Sequence, residues 1–210
     1  MTTTHFRLAA AALGVAWLVA GCGSAGGPQY YSLADSAAPT RAPVPAGGAP
    51  VYIELAPIAM ADRFARPQLV VRKKDAPDSP AVDILEQHRW SSSFENELRD
   101  SLGSGIASRL GAVDVTKSGR LRGQPATRIA VQLEQFDAIE GQRVDASFTW
   151  TVRRTDEGPA TGCRVSLSET VGGGFDALAQ GAQRLTSRLA DAIAASIPAP
   201  QGQPIPKCAA

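Results

Sequence analysis

Hydrophobic periodicity predicts an α+β fold in which an antiparallel-rich sheet is covered on one face by two helices, in a single domain. Three observations carry this reading. Runs of strand period recur between residues 51 and 90 and again between 128 and 171, and two longer stretches repeat apolar residues at helical spacing. Each helical stretch follows a group of strands, an order whose compact solution is two packed layers.

Ahead of the domain, Arg7 precedes an uncharged apolar run over residues 8–20. A membrane-spanning helix needs about 20 apolar residues, so this run is short for one. A basic lead, an apolar core and small residues before a cut site are the layout of a secretory leader. The order Val19, Ala20, Gly21, Cys22 resembles the lipobox of bacterial lipoproteins. Residues 1–21 therefore read as a signal peptide cut after Gly21, and Cys22 as the lipidation site. The resemblance implies three fatty chains, palmitate-like, on the new terminus. One acyl chain binds a membrane only marginally, on the order of 10⁴ M⁻¹, and further chains make attachment lasting.

Residues 22–50 are rich in Gly, Ala, Pro and Ser and read as the lipidated cysteine with a flexible tether. Such a chain spans roughly 30 Å on average and about 90 to 100 Å when extended. Within it "YYSL", residues 30–33, is either an added edge strand or solvated linker.

The α+β domain is assigned to residues 51–197. "VYIELAPI", residues 51–58, sets Val51, Ile53 and Leu55 against Tyr52, Glu54 and Ala56, the alternation of a half-buried strand. "PQLVVR" from Pro67 and "VDILEQ" from Val82 are two further strands, separated by a loop rich in Pro and Asp. The period then changes. Phe94, Leu98, Leu102, Ile106 and Leu110 recur every fourth residue, Ser92 and Glu95 form a capping-box signature, and Gly111 is placed as the stop. Gly103 and Gly105 weaken this helix by about 1 kcal/mol each, which close packing on a sheet would explain. Ile129, Val131 and Leu133 begin a β-hairpin that turns at "IEGQ" and returns with Val144, Ala146, Phe148, Trp150 and Val152 on one face. "CRVSLSETV" adds a third antiparallel strand. After the glycines at 172–174, Leu178, Ala182, Leu185, Leu189, Ile193 and Ile197 stripe a second helix. Residues 198–210 form a Pro-rich tail.

Removing the leader takes Arg7 from the 21 basic residues and nothing from the 20 acidic ones, so the exported chain is neutral. No Lys/Arg cluster marks a nucleic-acid footprint, and no nucleic-acid partner is expected. Export places the chain in an oxidising compartment, where Cys163 and Cys208 remain once Cys22 is lipidated. An even pair permits one disulfide or two free thiols.

His88 is the only histidine beyond the leader, and neither C-x-x-C, H-E-x-x-H nor G-x-S-x-G occurs. No metal, cofactor or catalytic set is expected from these residues, and the reading is non-enzymatic. Three features remain, each with two readings. Asp62, Arg63 and Arg72 present a charged partner surface or close a turn by salt bridges. Trp90 anchors an interface or packs at the start of the first helix. The stripe from Leu178 to Ile197 holds a lipid tail or is core.

In order and spacing, Cys22, "YYSL", "DRFARPQLVVR" from Asp62, "HRW" before the first helix and "IAVQLEQFDAIEGQRVDASFTW" through the hairpin are similar to the ABC-type transport auxiliary lipoproteins. That family is typified by the lipoprotein component of the paraquat-inducible MCE transport system. The resemblance implies a non-catalytic subunit, anchored in the outer membrane through acyl chains and facing the periplasm. It would dock a periplasmic MCE-domain protein of an ABC lipid transporter; self-association is left open. The chain departs from the family pattern in Phe64, Ala65 and Arg66, which intervene before the proline-led strand, and in its cysteine pair. An alternative class is an envelope regulator or assembly lipoprotein that binds a cell-wall synthase or an outer-membrane complex. A third is an enzyme acting on envelope lipid or glycan.

Overall fold

The computed structural model describes residues 27–34, 50–76, 78–120, 122–154 and 160–197, together with Cys208. The leader, Gly21 and Cys22 lie outside the described residues, as does the Pro-rich tail apart from Cys208. In chain order the elements are β1 (Gln29–Tyr31), β2 (Tyr52–Leu55), β3 (Gln68–Arg72), β4 (Val82–Trp90), α1 (Phe94–Leu110), β5 (Val113–Asp114), β6 (Thr127–Ile139), β7 (Arg143–Arg154), β8 (Thr161–Thr170) and α2 (Phe175–Ser196). They form one α+β domain built on an eight-stranded sheet.

The meander β6–β7–β8 is the backbone of that sheet, held by two long antiparallel ladders. Its free edge at β6 is shared: β2 pairs with one end of it in parallel, and Arg72 of β3 pairs with Ile139 at the other. β4 lies antiparallel to β3, and β1 closes that side parallel to the end of β4. The long ladders are thus antiparallel, as the strand periods predict, and the sheet also has short parallel pairings. Residues 30–33 take the strand reading: Tyr30 and Tyr31 belong to β1, and Leu33 just beyond is 1% exposed. The folded unit therefore includes residues 29–34, well upstream of residue 51.

β7 alternates as the sequence predicts, with Val144, Ala146, Phe148, Trp150 and Val152 all buried. β6 does not keep its alternation. Leu133 pairs with Phe148 and Gln135 with Ser147, so Glu134 is an extra residue in the ladder. Such a bulge moves every later side chain to the other face. Phe136 and Ala138 consequently sit opposite Ala146 and Val144 on the buried side, while Asp137 pairs with Asp145 on the open one.

α1 and α2 pack on each other and on the sheet through the two expected stripes. Phe94, Leu98, Leu102 and Ile106 are 0–4% exposed, and Leu178, Ala182, Leu185, Leu189 and Ile193 are 0–2% exposed. Burying each large side chain of this kind contributes about 1.5 to 3 kcal/mol. The N-cap differs from expectation by one residue. Ser93 caps α1, its Oγ accepting from the Asn96 amide at 3.3 Å, and Glu95 instead accepts from the Ile58 amide at 3.2 Å. Gly111 closes the helix in the left-handed region at φ 60°, as predicted. The helix glycines serve two contacts. A Cβ at Gly105 would meet Ala190 of α2 at 3.2 Å, and one at Gly103 would collide with the Asp114 carboxylate of β5. Only the second is a sheet contact; the first lets the two helices approach.

Candidate partner-docking surface

The strand pairing brings the charged residues of the sheet's open face into contact. Arg72, at the end of β3, donates from Nε to Asp137 Oδ1 at 2.5 Å and from Nη1 to the Ser79 carbonyl at 2.9 Å. Arg72 therefore pins the β3–β4 connection onto β6, and the turn-closing reading describes its contacts. Around it, Gln135 donates to Asp137 at 2.6 Å, Arg143 Nε lies 2.6 Å from Asp145, and Arg164 of β8 bridges to Glu134 at 2.7 Å. The bulge at Glu134 makes this possible, because it turns Asp137 outward beside Asp145.

Asp62 and Arg63 occupy the turn after β2 and are exposed. The Arg63 guanidinium carbon lies 4.4 Å from the centre of the Phe64 ring, a cation–π contact. Phe64 itself is 6% exposed and meets Phe136 edge-on at 5.9 Å. The residues intervening before β3 thus place one ring in the core and leave Arg63 on its outer side. Arg63 and Arg72 wall the same cleft of about 200 Å³. Trp90 is not on this surface: it is 5% exposed and its ring stacks on Phe94 at 5.3 Å. A side chain so enclosed packs the start of α1 and offers no interface anchor. The stripe from Leu178 to Ile197 is likewise core.

Against the helices, residues 29–34 are clamped by polar groups that sequence reasoning missed. Glu97, 8% exposed, accepts at Oε2 from the Leu33 amide (2.9 Å) and Ser32 Oγ (3.0 Å). At Oε1 it accepts from Ser91 Oγ (2.5 Å) and Ser92 Oγ (3.2 Å). Burial raises the pKa of such a carboxyl, but the Ser91 hydroxyl, the Leu33 amide and the hydroxyls of Ser32 and Ser92 outweigh it and hold Glu97 below its ordinary value. The available signal was an acid three residues after Phe94 on the apolar stripe, preceded by the serines at 91–93.

Tyr31 adds a second tie. Its hydroxyl donates to Asp176 at 2.8 Å and lies 3.0 Å from His88 Nδ1. A phenol has one proton, so His88 must donate from Nδ1 if Asp176 receives it. Burial, with the hydrogen bond to and charge of Asp176, pushes the Tyr31 pKa up to about 12. Gln183 of α2 donates to the Ser32 carbonyl at 2.7 Å, and Ser101 of α1 to the Leu33 carbonyl at 2.8 Å. The segment is joined to β4 and both helices.

Cys163 lies in β8 opposite Trp150, and the structure bonds it to Cys208 with the Cα atoms 5.4 Å apart. Among the described residues, no group of three or more His, Cys, Asp or Glu side chains is arranged to hold a metal ion.

Residues 31–194 match the model of the ABC-type transport auxiliary lipoprotein component family, well over half of the chain. The chain belongs to this family. The match begins at Tyr31, the last residue of β1, so residues 31–34 of the clamped segment lie within the matched span. Two solved structures share the fold of this auxiliary lipoprotein. An uncharacterized protein superposes with a TM-score of 0.62 at 18% identity, over 80% of this chain and 97% of its own. A Xanthomonas campestris protein gives 0.58 at 10% identity, over 79% of this chain and 92% of its own. Among curated protein sequences, none is significantly similar to this chain. Family membership makes the protein an auxiliary lipoprotein associated with ABC-type transport in the cell envelope.

Proposed function

We propose that this auxiliary lipoprotein is held at the outer membrane by acyl chains on Cys22 and docks a periplasmic MCE-domain protein of an ABC lipid transporter, without catalysing a reaction itself. The observation that carries the reading is the division of labour in the fold. The N-terminal segment that follows the anchor is clamped against the helices, and the exposed turn of Asp62 and Arg63, beside the charged open face, is left for a partner. Acyl chains then give position, and the sheet gives specificity.

The test is co-purification of the MCE protein from cross-linked envelopes. Cys22→Ser is expected to leave an uncleaved precursor in the inner-membrane fraction. Asp62→Ala and Arg63→Ala should lower MCE recovery with fractionation and folding unchanged, because both side chains are exposed. Arg72→Ala is a poorer probe, since it also frees the β3–β4 connection from Asp137. Recovery of a cell-wall synthase with no MCE protein would replace this reading with the regulator one.

Export also bears on the cysteines. A bond between Cys163 and Cys208 closes a loop of 45 residues and, in the chain-entropy picture, adds about 4 kcal/mol. Non-reducing digestion of protein from the periplasm should yield the 163–208 cross-linked peptide. Two alkylatable thiols would contradict it.

A further inference from the structure

Four large apolar side chains stand exposed among the described residues, and three of them lie on β1 and β4: Tyr30 (62%), Val82 (41%) and Ile84 (43%). β4 has β3 along one side, but β1 covers its other side only from His88 to Trp90. From 82 to 87 that outer edge has no strand partner among the described residues. Cross-strand pairing puts Ile84 beside Val70 and Val82 beside Arg72, so an apolar patch at the sheet margin stops where the charged open face begins. Asp83 alternates to the other face of the strand.

The way the chain arrives at this margin says what covers it. β1 runs parallel to β4 with Gln29 opposite His88, so residues 27 and 28 approach from the side on which Ile84 and Val82 lie. Cys22 stands seven residues before Gln29, and seven Cα–Cα steps reach at most about 25 Å. With β1 paired into the sheet and Leu33 buried, most of the 22–50 segment lies beyond the first docking point and cannot lengthen the leash. We propose that the β1–β4 margin rests on the bilayer that holds the acyl chains, with Tyr30, Val82 and Ile84 at the boundary between headgroups and acyl chains. This rests on the lipidation of Cys22 proposed above. An exposed tyrosine suits that boundary, since its ring is apolar and its hydroxyl stays hydrated. The domain is thus apposed to the membrane by one edge; the cleft walled by Arg63 and Arg72, which Val82 also lines, sits at the rim of that contact, and the charged face of β6, β7 and β8 is turned toward a periplasmic partner.

The experiment uses full-length lipoprotein purified from membranes and reconstituted into phosphatidylethanolamine/phosphatidylglycerol vesicles, with p-benzoylphenylalanine replacing Tyr30, Ile84 or Arg164. Arg164, on β8 at the far edge of the sheet with a side chain 68% exposed, is the comparison site. After irradiation, lipid adducts at positions 30 and 84 are expected to exceed those at 164 by roughly tenfold, because interfacial contact reaches only about 5 to 10 Å into the boundary. If Cys22 is acylated and the protein floats with the vesicles, yet 30 and 84 give no more lipid adduct than 164 or cross-link to a second copy or another protein, the proposal is overturned. Mass spectra of the same samples read Cys22 directly; an unmodified Cys22 overturns the anchoring reading, and this proposal with it.

Discussion

Glu97→Ala is expected to destabilise the domain by about 3 kcal/mol and to loosen residues 29–34. The carboxylate gathers the Leu33 amide and the hydroxyls of Ser32, Ser91 and Ser92. Alanine strands the Leu33 amide in a buried place, and an unsatisfied buried donor costs about 1 to 3 kcal/mol. The same group sets an acid limit. Its folded pKa lies below the ordinary 4.5, so its contribution is complete above about 4.5 and is lost as pH falls through the folded value. Tyr31 sets an alkaline limit with the opposite sign. Its folded pKa of about 12 exceeds the ordinary 10, so its contribution is complete below 10 and is lost as pH climbs toward 12. Urea unfolding at pH 7 and pH 3.5 should show a steeper acid loss for the native chain than for Glu97→Gln. Amide exchange at Leu33 should accelerate in Glu97→Ala; an unchanged rate would mean that packing of Leu33 alone holds the segment.

Trp150→Ala should cost about 3 to 5 kcal/mol. The ring is 2% exposed beneath the helices, and its Nε1–H donates at 2.9 Å to Ser196 Oγ, itself 1% exposed. Ser196 in turn donates to the Ile193 carbonyl at 2.7 Å, so the indole ties the last turn of α2 to the centre of β7. The truncation opens a cavity and removes that tie together. Trp150→Phe keeps most of the volume and loses the hydrogen bond to Ser196, for which about 1 kcal/mol is expected on top of a packing loss smaller than alanine's. Thermal unfolding separates the two. Equal midpoints for both variants would show that the hydrogen bond, and not the cavity, carries the effect.

Much of the candidate docking surface was legible as residue types and not as partners. Asp62, Arg63 and Arg72 stand out as charges bracketing a strand, yet only the pairing of Arg72 with Ile139 across β3 and β6 puts its guanidinium on Asp137. Trp90 has the same sequence signature whether it anchors an interface or packs a helix. Its burial follows from Phe94 below and β1 alongside.

Local periodicity by itself determined the α+β class, the two helices with their buried stripes, the hairpin of β6 and β7 and the glycine stop at 111. These depend on residues within a few positions of one another, and the interactions that set them are available to any short stretch of chain. The tertiary structure alone decided that β1 is a strand, that the alternation of β6 shifts at Glu134, that Glu97 is a buried hub and that Tyr31 reaches Asp176 across 145 residues. A three-residue strand has too few contacts of its own to be stable. It forms because β4, α1 and α2 receive it, and that assembly fixes where the chain ahead of β1 enters the domain.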